Sequence, residues 1–354
     1  MNAQTYSELA QVQDGPTVSI FCPFETRRPG NEHDALLLRE LRDRSVKEVG
    51  TLLQGAGATS LIARIDDALA SIDLQYPSDG VAVFVSPSVS RVVPLDIHVE
   101  PNVVVGERFA IRDLLSADST SVRARVLLLS QTTTRCIDLT GTEAVERHDF
   151  GFPVDVVPPT EADTPHRDFP LDEHEHAEAA KFVFRAVGHS LAAIERSDAR
   201  PLVLVGEQRD LSYFGEVTGG RESVIGRVIG NHLRDTTDAV SRLVRPVLEA
   251  HHLRLQGEAC DEVREAIGSR AVSGIAETWL AAQAGRGHRL LLEDGYRYPA
   301  RVVNGVLESS PDENGSFDAV EQTVEEVIRH GGEVMMVPAE SLRDLAHIAL
   351  LTRF

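Results

Sequence analysis

AEAAKFVFRAVGHSLAAIERSDARPLVLVGE, residues 177–207, is the stretch that decides how this chain folds. Ala179, Phe182, Val183, Ala186, Val187, Ser190, Leu191 and Ile194 recur at spacings of three and four, which gives a helix one largely apolar face. Asp172, Glu173 and Glu175 stand at its start, where negative charge suits the helix dipole. Pro201–Val205 (PLVLV) then reads as a fully buried strand ending at Gly206. An amphipathic helix followed at once by a buried strand marks an α/β layer, with helices laid over a sheet.

The same alternation continues outward from this stretch. Upstream, Arg125–Leu129 and Arg135–Leu139 form a hairpin around Gln131–Thr134, and Val154–Val157 reads as a further strand. Pro158–Asp172 is irregular, rich in proline and acid, and long for a structureless loop inside a domain. Nearer the N-terminus, Thr17–Phe24 (TVSIFCPF) is a strand, Glu25–Asn31 a turn-rich loop, and Asp34–Leu53 a helix stopped by Gly55 and Gly57. A second helix spans Ser60–Ile72, and Val81–Val85 pairs with Arg91–Leu95 across Ser86–Ser90. Ser116–Ser121 has the composition of a linker. Downstream, a helix covers Thr236–His252, kinked or divided at Pro246. Ile275–Ala284 and Phe317–Arg329 read as helices, and His288–Glu293 and Glu333–Val337 as core strands. A return strand begins at Val302 and Val303, and Ser309–Gly315 is an exposed loop. No repeat of solenoid type is present.

Composition limits the functions available. The 354 residues, 42% of them apolar, suit two or three globular domains. No apolar stretch reaches the roughly 18–20 residues needed to span a bilayer. The polar start, Met1–Asp14, lacks the basic-then-apolar pattern of a secretory leader, so a cytoplasmic location is expected. Cys22, Cys136 and Cys260 are too far apart and too few for a metal site or disulfide framework, and read as small buried apolar residues. The net charge of -20 argues against nucleic-acid binding by the surface as a whole and restricts any RNA contact to a local patch or a partner protein.

The motifs are sparse. Gly55-Ala56-Gly57 follows a helix rather than a strand and is read as a helix terminator, not a dinucleotide loop. There is no Walker loop and no G-x-S-x-G elbow. His174-Glu175-His176, with His166 upstream, alternates at a helix start and so does not share one face as i, i+4 metal ligands would. Gly219-Gly220 reads as a turn and His251-His252 as a helix end. Arg27, Arg28, Arg39, Arg42, Arg44 and Lys47 form the densest basic cluster. Glu25, Glu32, Asp34, Glu40, Asp43 and Glu48 offset it, which describes a solvated charged face.

Several segments, in order, resemble the bacterial branch of the archaeo-eukaryotic peptide release factor superfamily, the group of the eukaryotic release factor and Pelota. They are Thr17–Gly30 (TVSIFCPFETRRPG), Asp34–Val49, Val81–Leu95, Val103–Leu115, Arg125–Leu139 (RVLLLSQTTTRCIDL), Lys181–Leu191, Pro201–Glu207, Ala281–Asp294 and His330–Leu342. The resemblance implies an α/β protein of three α/β domains. Residues 1–118 would form the first, 119–254 a middle domain with the RNase H-like fold of the release factor catalytic domain, and 255–354 an α/β/α sandwich like kink-turn-binding ribosomal proteins. It also exposes a departure. Release factors carry Gly-Gly-Gln in the loop before the long middle-domain helix. The corresponding Phe152–Ala177 has neither glycine nor glutamine, and Asp155, Glu161, Asp163, Asp168, Asp172, Glu173 and Glu175 make it acidic.

The expected function is that of a ribosome-associated translation factor, in rescue, hibernation or quality control, without peptidyl-tRNA hydrolysis. The partners implied are the ribosome or its RNA, with tRNA or a translational GTPase, and neither membrane nor DNA. No catalytic residue, metal or cofactor is expected. Arg27, Arg28, His166, Arg167, His174 and His176 are the candidate binding residues. Two alternatives stay open: a metal-dependent nuclease or hydrolase on an RNase H-like domain, and an adaptor that binds only proteins.

Overall fold

The computed structural model describes residues 3–12, 14–24, 32–74, 78–95, 99–119, 123–141, 143–155, 173–221, 223–310 and 317–354. In chain order the elements begin with α1 (Ala3–Ala10), β1 (Thr17–Pro23), α2 (Glu32–Leu52), α3 (Ala56–Ala70), β2 (Gly80–Val85), β3 (Ser90–Leu95), β4 (Asn102–Gly106) and α4 (Ile111–Ser119). Next come β5 (Arg123–Leu129), β6 (Thr133–Thr140), β7 (Glu143–Glu146), β8 (Val154–Asp155), α5 (Glu173–Glu195), β9 (Leu202–Gly206), α6 (Gln208–Thr218) and β10 (Val224–Ile229). The long α7 (Thr237–Ala266) leads to β11 (Ala271–Ser273), α8 (Ile275–Gln283), β12 (Gly287–Glu293), β13 (Pro299–Val303), β14 (Val306–Ser309) and β15 (Phe317–Asp318). The chain finishes with α9 (Ala319–Arg329), β16 (Glu333–Val337) and β17 (Ile348–Thr352). It is thus an α/β protein, and it divides into two compact units, one of residues 1–121 with 255–354 and one of residues 122–254.

The unit of residues 122–254 is built on a sheet of order β10-β9-β5-β6-β7, with β8 beside β6. β5, β9 and β10 run parallel, while β6 runs antiparallel to β5, β7 and β8. Alternation along β5 sorts its side chains onto two faces. Ala124, Val126 and Leu128 pack with Val240, Val244 and Leu248 of α7. Leu127 and Leu129 pack with Phe184, Val187 and Leu191 of α5 and with Leu211 and Phe214 of α6. At the other end of β5, Arg125 is 1% exposed and forks onto Asp138 of β6 through Nε (2.7 Å) and Nη2 (3.0 Å). Arg147 reaches the same carboxylate at 3.3 Å.

Among its described residues the other unit holds two four-stranded sheets and a smaller three-stranded one. In the first, β3-β2-β1-β4, all neighbours are antiparallel. Val18, Ile20 and Cys22 of β1 face α2 and α3, meeting Leu41, Leu61 and Ile65. Phe21 and Phe84 face the other way, onto Phe109 and onto Ile111 and Leu114 of α4. In the second sheet, β11-β17-β12-β16, only β12 and β16 are parallel. Cys260 and Val263 of α7 cover one face, and Val320, Val324 and Val327 of α9 share a core with Leu290, Leu292 and Leu350 on the other. A three-stranded ribbon, β14-β13-β15, turns through Asn304 and Gly305. Both residues have positive φ, 49° and 80°, as a two-residue hairpin turn requires.

Three sequence expectations are corrected. Gly57 lies inside α3, and Gly55 precedes its first residue rather than both glycines ending α2. Residues 116–119 are the end of α4 and not linker, because Ile111 and Leu114 anchor that helix in the core. The helix at 237 neither divides at Pro246 nor ends at His252 but continues to Ala266. Pro246 is exposed, so the carbonyl it leaves without a partner can be met by solvent. Leu253 and Leu255 are exposed too, which interrupts the apolar period before Gln256, Cys260 and Val263 restore it. Among the described residues no helix is long and apolar enough to cross a membrane.

The three cysteines are buried, as expected, and burial pushes the Cys22 and Cys136 thiols up to about 12. They should react with a thiol reagent at pH 8 only once the protein is unfolded in urea. Fast labelling of the native protein would contradict this burial. Replacing Asp138 by Asn takes from the enclosed Arg125 its nearest counter-charge, leaving Asp198 at 3.6 Å, and should lower the unfolding free energy by about 3 kcal/mol. Arg42→Gln, at the exposed Arg42–Asp66 pair, should cost no more than about 1 kcal/mol. Urea melts of the two variants compare them directly.

Candidate functional site

In the unit of residues 122–254, polar residues follow directly on the apolar runs of three parallel strands. Ser130 and Gln131 follow β5, Glu207 follows β9, and Asn231 stands just past β10. Because the strands are parallel, these residues gather at one edge of the sheet. From β5 the chain goes one way to β6 and β7 and the other way to β9 and β10. The gap between β5 and β9 is thus the point where strand order reverses, the usual place for a ligand in an open α/β sheet. A cleft of about 190 Å³ lies there, lined by Leu129, Ser130, Gln131, Glu207, Asp210, Asn231 and Leu233.

Its walls are held from behind. A Cβ on Gly206 would stand 3.0 Å from the Leu129 carbonyl oxygen, so a side chain there would push β9 off β5 at the mouth of the cleft. Arg135 pairs twice with Glu146, at 2.7 Å each, and donates to the carbonyls of Leu233 (2.7 Å) and Asp235 (2.9 Å), fixing the segment after β10. Asp210, in the first turn of α6, is 6% exposed and accepts a 2.8 Å hydrogen bond from Gln131 Nε2. Burial pushes its carboxyl above the usual aspartate range, the Gln131 bond opposes this, and the nearby Glu207 charge adds to it. The lining offers carboxylate, amide and hydroxyl groups and no basic side chain. It suits a hydrogen-bond donor such as an ammonium or hydroxyl better than a phosphate. Among the described residues, no group of three or more His, Cys, Asp or Glu side chains is placed to hold a metal ion.

Of the residues proposed from sequence, Arg27, Arg28, His166 and Arg167 lie outside the described residues, as does most of the acidic loop. His174 and His176 are exposed in the first turn of α5. Helices α5 and α6 run side by side in the same direction, with Lys181 2.8 Å from Glu216 and Phe184 edge-on to Phe214. Both start at the carboxyl ends of the strands, so His174 and His176 lie at the same sheet edge as the cleft. Two basic residues of α2 are paired locally: Arg42 forks onto Asp66 at 2.8 and 3.1 Å, and Arg44 pairs with Glu48 at 3.0 Å. That matches a solvated charged face.

Sequence reading missed Gln131, Glu207, Asp210 and Asn231. Gln131 was assigned to a hairpin turn and β10 was not expected at all, because VIGRVI is only half buried. The usable signal was the abrupt change from apolar to polar after LLL (residues 127–129) and LVLVG (residues 202–206).

Residues 125–286 match bacterial archaeo-eukaryotic release factor family 3. The match takes in a little under half of the chain, and the resemblance drawn from the sequence is borne out. No curated protein matches the chain. Among solved structures it is similar to the archaeal translation termination factor aRF1, at 16% identity and TM-score 0.25, over 100% of this chain and 99% of that one. It is similar to Archaeoglobus fulgidus Pelota at 14% identity and TM-score 0.37, over 100% and 92%. Dom34 of S. cerevisiae, a translation termination-like factor, gives 13% identity and TM-score 0.40, over 76% and 74%.

Asp210→Asn keeps an acceptor for Gln131 and removes the ionisation that burial opposes. Asp210 is raised above 3.8, so its contribution to stability is whole below that pH and declines as pH rises through the raised value. The variant should therefore gain on the parent between pH 4 and pH 7 in urea melts. A gap that stays constant over this range would refute the assignment.

Proposed function

We propose that this protein is a cytoplasmic, ribosome-associated translation factor acting in rescue, hibernation or quality control, and that it does not hydrolyse peptidyl-tRNA. The observation that carries the reading is the family match over residues 125–286, which takes in the segment where release factors carry Gly-Gly-Gln. Here Phe152–Ala177 has neither glycine nor glutamine and is acidic. Acidic side chains beside ribosomal RNA repel it, and without glycine the loop lacks the backbone freedom of its counterpart. The sheet order β10-β9-β5-β6-β7, with β6 reversed, supports an RNase H-like reading of residues 119–254. The separate four-stranded sheets of residues 1–118 and 255–354 support the three-domain division, with α1, α4 and α9 sharing one core between them. With a net charge of -20, contact with ribosomal RNA would be local, and the candidate contact residues are Arg27 and Arg28 and, separately, His166, Arg167, His174 and His176. A translational GTPase or tRNA is the expected companion, and the yeast Dom34 structure is described as interacting with Hbs1.

A second reading, a metal-dependent nuclease or hydrolase, rests on Glu207 and Asp210 standing together at the cleft. Magnesium titration with a labelled RNA separates the two, since the translation-factor reading expects no cleavage.

Sedimentation of lysates from growing and stationary cells tests the main proposal. The protein should travel with ribosomal particles, and an Arg27→Ala, Arg28→Ala double variant should bind them more weakly and with a shallower salt dependence. A protein that stays at the top of the gradient at low salt in both lysates would overturn it.

A further inference from the structure

Within the unit formed by residues 1–121 and 255–354, the charged groups along the seam between Arg108–Asp113 and α9 do not balance. Arg112 is buried, donates to Asp318 at 2.9 Å and to the Tyr296 carbonyl at 3.1 Å, and lies 3.7 Å from Glu321. Its backbone N–H donates to Glu321 at 3.1 Å. Arg108 pairs with Glu325 and lies 3.8 Å from Glu326. The first segment therefore brings two guanidiniums and Asp113 against Asp318, Glu321, Glu325 and Glu326. The remaining charges are at the edges. Arg329 binds Glu326 at 2.8 Å, His330 lies 3.8 Å from Glu326, and the exposed Arg297 is 3.7 Å from Asp113. Tyr296 packs beside Arg112, while Tyr6 and Leu9 of α1 close the apolar side. Glu325 is 1% exposed, and its Oε1 has no hydrogen-bond partner among the described residues.

An ionised carboxylate with one oxygen unpaired in a dry site costs free energy that one arginine does not fully offset. We propose that this seam is a proton-operated clasp, holding residues 108–119 against α9 in mildly acid conditions and loosening in alkaline ones. Burial pushes Glu325 up to about 7, opposed by Arg108, and does the same for Glu321, opposed by Arg112. Glu321 keeps a fifth of its side chain exposed, so Glu325 is the better enclosed of the two. Both are raised from 4.5, so their stabilising contribution is complete below about that pH. It falls as pH rises and is lost above about 7. Opening releases the protons these carboxyls hold.

The test is amide hydrogen exchange in residues 107–119 and 319–329 of the full chain at pH 6 and pH 8, corrected for intrinsic rates. Local opening should rise about tenfold per titrating carboxyl over this span, while amides of the β1 and β5 cores change little. Glu325→Gln, the uncharged mimic, should remove one of the two tenfold steps. Equal protection at the two pH values in the unaltered protein would overturn the clasp, as would a variant that keeps the full dependence. Should the variant fail to fold, carbon-13 titration of the glutamate carboxyls in the unaltered protein decides alone. Two midpoints near 7 support the clasp, and all midpoints near 4.5 overturn it.

Discussion

Burial of each large sheet on both faces is the constraint on which the rest depends. β1, β2, β5, β9, β12 and β17 are apolar at successive positions, so neither face of their sheets can be left to water. Each sheet must carry helices on both sides: α2 and α3 opposite α4, α5 and α6 opposite the first half of α7, and the second half of α7 opposite α9. Helix α7 serves two cores, which is why it runs 30 residues through a proline.

The cleft is a product of the same arrangement. Covered parallel strands need crossover helices, and crossovers place the carboxyl ends of β5, β9 and β10 together. What those ends present is decided by the few residues after each apolar run. The run ends at Ser130-Gln131 and Glu207, and α6 turns Asp210 back into the gap. The lining is therefore acidic and amide-bearing, in keeping with a chain whose charge is -20.

Charge is handled differently in the interior and at the surface. On α2, arginines and acids pair in solvent, where such pairs contribute little. Around Asp138 three arginines, Arg125, Arg147 and Arg200, meet three carboxylates, Asp138, Asp149 and Asp198, so the charges balance and spare guanidinium donors reach carbonyls. At the seam of α9 the excess is negative. A surplus carboxylate has no such outlet except to take a proton.

Periodicity alone made α2, α5, α8 and α9 legible, together with β1, β2, β5, β9, β12 and β16, since each repeats its apolar residues at helical or strand spacing. Ordered short segments also pointed to the release factor relatives, and the burial of the cysteines followed from their odd number and wide separation. The sequence could not disclose β10, whose residues are half exposed because it lies at a sheet edge. Nor could it show the continuation of α7 beyond His252, where exposed leucines break the pattern. Gln131 and Asp210 are 79 residues apart, and Arg108 and Glu325 are 217 apart. Local pattern carries no information about such pairs. Chain folding alone brings them together, and burial then decides which of the many charged residues has its chemistry changed.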